Sequence, residues 1–186
     1  MGFVTGHDFG RAEEADKTNG AFAPEAKMAD TTTTNARIDS KDYQAIIPEM
    51  GTGMAAISHA LRKSGIEPEL LEMIKVRVSQ LNGCAFCIQY HLNDARKLNV
   101  PAAKLDLLAA WREAGIYSPR EAAAFDWAER VTSLAAHHVE DEAYASLSEH
   151  FSEREIAFLT TAIGQINFWN RVAAPLRFTP PIPNGS

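Results

Sequence analysis

The stretch Val78-Ser79-Gln80-Leu81-Asn82-Gly83-Cys84-Ala85-Phe86-Cys87-Ile88-Gln89-Tyr90-His91 decides how the chain is read. Before it, Leu71, Ile74, Val78 and Leu81 recur at the spacing of one helical face. Pro68 suits the first position of that helix, where the absent N–H would have no partner anyway. Asn82-Gly83 interrupts the stripe as a helix terminus or turn does. A further helix is predicted from about Cys84 to Leu98, with Asn99 after it and Pro101 opening the next. Two helices therefore meet at a turn, and both cysteines of the chain sit just after that turn.

The same period extends in both directions. Met54, Ile57 and Leu61 follow an i, i+3, i+7 pattern, and Gly65 fits the position just past a helix end. Leu105 and Leu108 predict a helix that Gly115 can terminate. Ser118-Pro119-Arg120-Glu121 is a capping box with proline at its first helical position, and the helix it opens carries Phe125, Ala128 and Thr132. Tyr144, Leu147 and Phe151 predict a short helix. Ser152-Glu153-Arg154-Glu155 is a second capping box, and Ile156, Leu159, Ile163 and Ile166 line one face behind it. Pro175 marks the expected end, and Pro180, Pro181 and Pro183 predict a non-helical C-terminal tail over 179–186. No alternating β pattern occurs between turn signals, so the expected fold is all-α, a single helical domain over 39–178. Residues 1–38, with the run Thr31-Thr32-Thr33-Thr34, show no apolar period and predict a disordered tail. Gln80-Leu81-Asn82 is echoed by Gln165-Ile166-Asn167, too short a match to define a repeat.

Composition sets the boundaries of function. With 186 residues the chain suits one domain with a true core. A net charge of −6 does not favour non-specific binding to nucleic acid or to an anionic membrane. No apolar run approaches the ~20 residues that span a bilayer. The first residues, Met1 to Asp8, lack the basic head and apolar core of a signal peptide, so the expected location is cytoplasmic. In a reducing compartment a close cysteine pair reads as redox or metal chemistry, because a loop of two intervening residues constrains the unfolded chain little.

Cys84, Cys87 and His91 form C-x-x-C-x-x-x-H. On a helix they fall within about 60° of one another, with His91 one turn from Cys87 and two from Cys84. Proximity favours Cys87 as the thiol served by the imidazole. Helix-terminus electrostatics lower a thiol pKa but act on both sulfurs, so helix physics alone leaves the nucleophile open. Zinc is a competing use of two Cys and one His, although structural sites take a fourth ligand. Two buried structural cysteines are another. Taken alone, Glu72 is a helix-surface acid paired with Lys75, and His137-His138 a cationic helix end. Trp111, Trp127 and Trp169 are expected in the core or a subunit interface rather than as a substrate platform.

Glu72 extends the motif to E-x11-C-x2-C-x3-H. With Leu81 to Cys87, His91 and Ala95-Arg96-Lys97, this text resembles the alkylhydroperoxidase D-like branch of the carboxymuconolactone decarboxylase family. Ser118 to Ala123 and Asn167-Phe168-Trp169-Asn170-Arg171 are similar too, and the resemblance covers roughly residues 40–178. It implies an all-helical trimer or hexamer and a thiol-dependent peroxidase that needs no haem, flavin or metal. It further implies Cys87 as the peroxidatic thiol, Cys84 as the resolving one, and Glu72 with His91 as a proton relay. The implied partners are a hydroperoxide and an external dithiol reductant. Asn170 and Arg171 follow the family text without a role derivable from it. Phe86 departs from the family's well-characterised peroxidase, which has a histidine there. The lactone decarboxylases lack the cysteine pair, which argues against decarboxylation. Two other readings use the same residues: a protein dithiol–disulfide oxidoreductase or adaptor, and a non-catalytic helical oligomer with structural or metal-binding cysteines.

Overall fold

The computed structural model describes residues 35–136 and 138–183. Among them are nine α-helices, one 3₁₀ turn and no strand, so the fold is all-α. The helices are α1 (Ser40–Ile46), α2 (Pro48–Arg62), α3 (Pro68–Leu81), α4 (Ala85–Lys97), α5 (Ala102–Asp106), α6 (Trp111–Ala114), α7 (Pro119–Thr132), α8 (Asp141–Ser148) and α9 (Glu153–Leu176). Residues 1–34, which hold most of the expected tail, and His137 lie outside the described residues. From Asn35 the chain is tethered: the Arg37 and Ile38 amides donate to the Leu176 carbonyl at 2.9 and 3.4 Å.

Helix α3 is the hub. Half of its fourteen residues are buried, among them Leu71, Ile74 and Val78 of the predicted stripe, with Met73 and Val76 between them. A helix apolar on more than one face must be covered on more than one side, and α3 packs against α4, α7 and α9. Helix α9 supplies a straight stripe, Ile156, Leu159, Ile163, Ile166, Asn170 and Ala173, all buried. Both predicted capping boxes form. Ser118 Oγ accepts from the Glu121 amide at 3.2 Å and Glu121 Oε2 from the Ser118 amide at 2.8 Å. Ser152 and Glu155 repeat the exchange at 3.4 and 2.8 Å. Each box satisfies orphan N–H groups, which sets where α7 and α9 begin.

The structure corrects the sequence reading at several junctions. The helix expected through Leu105 and Leu108 is three pieces, α5, a 3₁₀ turn over Leu108–Ala110, and α6. Gly115, at φ +64, then ends it as expected. Leu105, Leu108 and Trp111 are all buried, and breaking the helix lets each face the core. Pro101 caps α5 from outside rather than opening it. Gly65, at φ +88, lies two residues beyond the α2 cap at Lys63, one position later than expected. Trp111 and Trp127 are core residues that satisfy their indole N–H groups on Glu129 and Thr160. Trp169 is half-buried and lines a cavity instead. Over 178–183 the chain is non-helical and anchored: Phe178 is buried, Thr179 Oγ1 donates to Asp39 at 3.0 Å, and Asn93 donates to the Pro181 carbonyl at 2.8 Å; residues 184–186 lie outside the described residues. Among the described residues no helix is long and apolar enough to cross a membrane.

Candidate active site

The site begins at the α3–α4 turn. Asn82 caps α3, and Gly83 takes φ +64, a left-handed conformation that glycine adopts without strain. The chain reverses there and the Cys84 amide donates back to the Ser79 carbonyl at 3.0 Å. Cys84 is not the first helical residue but the N-cap of α4, extended at φ −89, ψ 93, with its sulfur accepting the Cys87 amide at 3.3 Å. Cys87 stands in the first turn of α4, beside unpaired N–H groups that favour a thiolate. The two cysteines are paired as a disulfide with Cα atoms 5.4 Å apart, within the span such a bond accommodates.

Both sulfurs are buried, but unequally placed. Cys84 is fully enclosed, whereas Cys87 lines a cavity of about 750 Å³ shared with Glu72 and His91. A molecule entering that cavity meets Cys87 and not Cys84. Leu61, Ile66, Leu71, Phe86, Trp169 and Phe178 make its walls largely apolar. Phe86 is fixed there by rings on both sides, Phe178 at 5.3 Å edge-on and Tyr90 at 6.0 Å stacked. Gln165 of α9 holds α2 as the opposite wall, donating to Ser58 Oγ at 2.9 Å and to the Met54 carbonyl at 3.1 Å.

Glu72 of α3 and His91 of α4, nineteen positions apart, meet with His91 Nδ1 2.7 Å from Glu72 Oε2. The other carboxylate oxygen, Oε1, accepts from Lys75 at 2.5 Å, so Glu72 makes the expected helix pair and meets His91 at the same time. Burial pushes the Glu72 carboxyl up, but the hydrogen bond from His91 and the charge of Lys75 outweigh it and hold the carboxyl below its ordinary value. Glu72 is therefore ionised at neutral pH and can only accept. That assigns the proton to His91 Nδ1 and leaves Nε2 as the basic nitrogen of the neutral ring. Burial, with the Asp94 and Glu72 carboxylates nearby, pushes the Tyr90 phenol up, so it stays a proton donor.

Glu72, His91 and Asp94 also bring donor atoms within 4.8 Å of one another. Each carboxylate already holds an ammonium, Lys75 on Glu72 and Lys97 on Asp94, so a cation would have to displace one or both. The cysteines belong to no such cluster among the described residues.

One constellation escaped the sequence reading. Asn82 Nδ2 donates to Asn167 Oδ1 at 3.0 Å and to Asn170 Oδ1 at 2.9 Å, and Asn170 Nδ2 donates to Ser79 Oγ at 3.0 Å. Arg171 closes the group on Asn167 Oδ1 at 2.7 Å. This network ties the cysteine turn to α9. Its signal was present: Asn170 continues the apolar stripe of α9 at a core position, and a polar residue there needs a buried partner.

An all-α frame with a C-x-x-C pair beside a part-buried Glu–His pair defines a helical protein equipped for thiol chemistry. The chain belongs to the carboxymuconolactone decarboxylase family, alkylhydroperoxidase D-like; the family's sequence model matches residues 48–130. An uncharacterised protein of Bacillus subtilis, YdfG, is 40% identical over 131 residues, 70% of this chain and 89% of that one. A solved protein of unknown function from Agrobacterium tumefaciens, described provisionally as the antioxidant defence protein AhpD, is 35% identical. It superposes with a TM-score of 0.74 over 80% of this chain and 99% of its own. The debrominase Bmp8 shares the fold at a TM-score of 0.67 and 20% identity, covering 74% of each chain. That last likeness is one of fold alone.

Proposed function

We propose that this protein is a thiol-dependent peroxidase. The observation that carries the reading is that Cys87 and the Glu72–His91 pair line one cavity while Cys84 lies enclosed behind it. In the reduced enzyme His91 Nε2 takes the Cys87 proton, and Glu72 stabilises the imidazolium that results. The Cys87 thiolate attacks the outer oxygen of a hydroperoxide. The O–O bond breaks, the alkoxide leaves with the proton returned by His91, and Cys87 becomes a sulfenic acid. The Cys84 thiol then gives up its proton and attacks the Cys87 sulfur; the S–O bond breaks, the hydroxide leaves with that proton as water, and the disulfide forms, which protects against overoxidation. Hydroperoxide and two thiols give alcohol, water and disulfide, so atoms and electrons balance. An external dithiol reopens the bond by exchange, attacking Cys87, the sulfur that the cavity serves, and releasing Cys84.

Phe86 stands where the family's well-characterised peroxidase has a histidine, so this relay runs on Glu72 and His91 alone. On the family likeness we assign the enzyme a trimeric or hexameric state. Peroxide consumption coupled to a dithiol tests the reading. Wild-type enzyme should turn over, and equal turnover by Cys87→Ser would reject it.

A further inference from the structure

We infer that the substrate of this site is a hydroperoxide with an apolar or aromatic body and a carboxylate, and that Arg62 holds that carboxylate. The inference rests on the peroxidase reading for the reacting group and on the cavity's own chemistry for the rest. About 750 Å³ is the size of a pocket for a drug-sized ligand and far exceeds what hydrogen peroxide needs. Its apolar walls suit a hydrocarbon or ring, with Phe86, Trp169 and Phe178 offering ring faces and edges.

The charges on the cavity wall point to the second half of the ligand. Besides His91, its ionic side chains are Arg62, Glu72, Lys75, Asp94 and Lys97. Glu72 is taken by Lys75 and His91, and Asp94 by Lys97 at 2.7 Å. Among the described residues the exposed Arg62 side chain has no ion-pair or hydrogen-bond partner, which leaves one uncompensated cation at the rim of an otherwise balanced wall. A guanidinium there can take a carboxylate through two parallel hydrogen bonds. Arg62 also ends α2, where a cation suits the helix dipole. That role alone would affect stability but not choose between ligands.

The test uses unreactive product analogues, so it does not depend on turnover. Binding of 4-(2-hydroxypropan-2-yl)benzoic acid and of its neutral parent, 2-phenylpropan-2-ol, is measured by calorimetry on the full chain. The acid should bind about three- to tenfold more tightly, the range between an exposed ion pair and a charged hydrogen bond. Arg62→Gln should bring the acid-to-neutral ratio toward one, Arg62→Lys should keep most of it, and Arg62→Glu should invert it. Equal binding of acid and neutral analogue by the wild type, or an unchanged ratio in both Arg62→Gln and Arg62→Glu, would overturn the inference. Peroxide turnover with equal binding would leave the peroxidase reading standing without the anchor. Selective binding with no turnover would leave the anchor standing without the peroxidase.

Discussion

Asn82 and Asn167, eighty-five positions apart, share a hydrogen bond of 3.0 Å. They are the third residues of the two echoed triplets, Gln80-Leu81-Asn82 and Gln165-Ile166-Asn167. The bond joins the turn that carries Cys84 to the long helix behind it. With Asn170 and Ser79, both buried, it forms a network in which every buried side-chain polar atom among the described residues has a partner.

Asn170→Leu should therefore destabilise the fold although it adds apolar surface. It strips the buried Ser79 hydroxyl of its donor, a loss of about 1–3 kcal/mol, and takes one of two acceptors from the part-buried Asn82 amide. Urea unfolding should show a lower midpoint. Asn82→Ala should in addition slow disulfide closure, because it frees the turn that presents Cys84.

The cysteines are predicted to differ in kind. Intact mass after mild peroxide exposure should show loss of two hydrogens in the wild type, mapped to Cys84–Cys87. Cys84→Ser should stop at a trappable sulfenic acid on Cys87 and then overoxidise. Cys87→Ser should lose fast peroxide reaction, because Cys84 is enclosed away from the cavity. A rapid reaction of Cys84 in that variant would exchange the assigned roles.

Removing the relay should slow the chemistry without unfolding the protein. His91→Ala should lower kcat/KM for hydroperoxide by about 10²–10⁴-fold, the usual worth of a positioned base. Glu72→Gln should lose a substantial part of that. A glutamine amide can donate to Nδ1, which permits the wrong tautomer. Stopped-flow kinetics with circular dichroism as a fold control separate the two effects.

Acid should weaken the fold through its carboxylates. The Ser152 amide and hydroxyl, with Arg120, hold Glu155 at about 2, against 4.5 ordinarily. Between these values the unfolded chain binds more protons than the native one, so stability rises with pH. The contribution is complete above about 4.5 and is lost as pH falls through about 2. Glu72, also held low, acts in the same direction. Thermal midpoints measured across this range should climb with pH, and Glu155→Gln should flatten the climb.

The helices and their caps were legible because they depend on neighbours within a turn or two. The Ser118–Glu121 and Ser152–Glu155 boxes and the α9 stripe needed only local spacing. The broken segment around Leu105, Leu108 and Trp111 was not legible, since its kinks follow from what each side chain must face in the core. Within the site, the sequence by itself determined the C-x-x-C pair, the nearness of His91 to Cys87 on one helical face, and the turn at Asn82-Gly83. Only the tertiary structure decided that Glu72 reaches His91, that Cys87 borders the cavity while Cys84 does not, and that Asn170 secures the turn. Each of those depends on how α3, α4 and α9 pack, and a linear period specifies which face a helix buries but not what lies opposite.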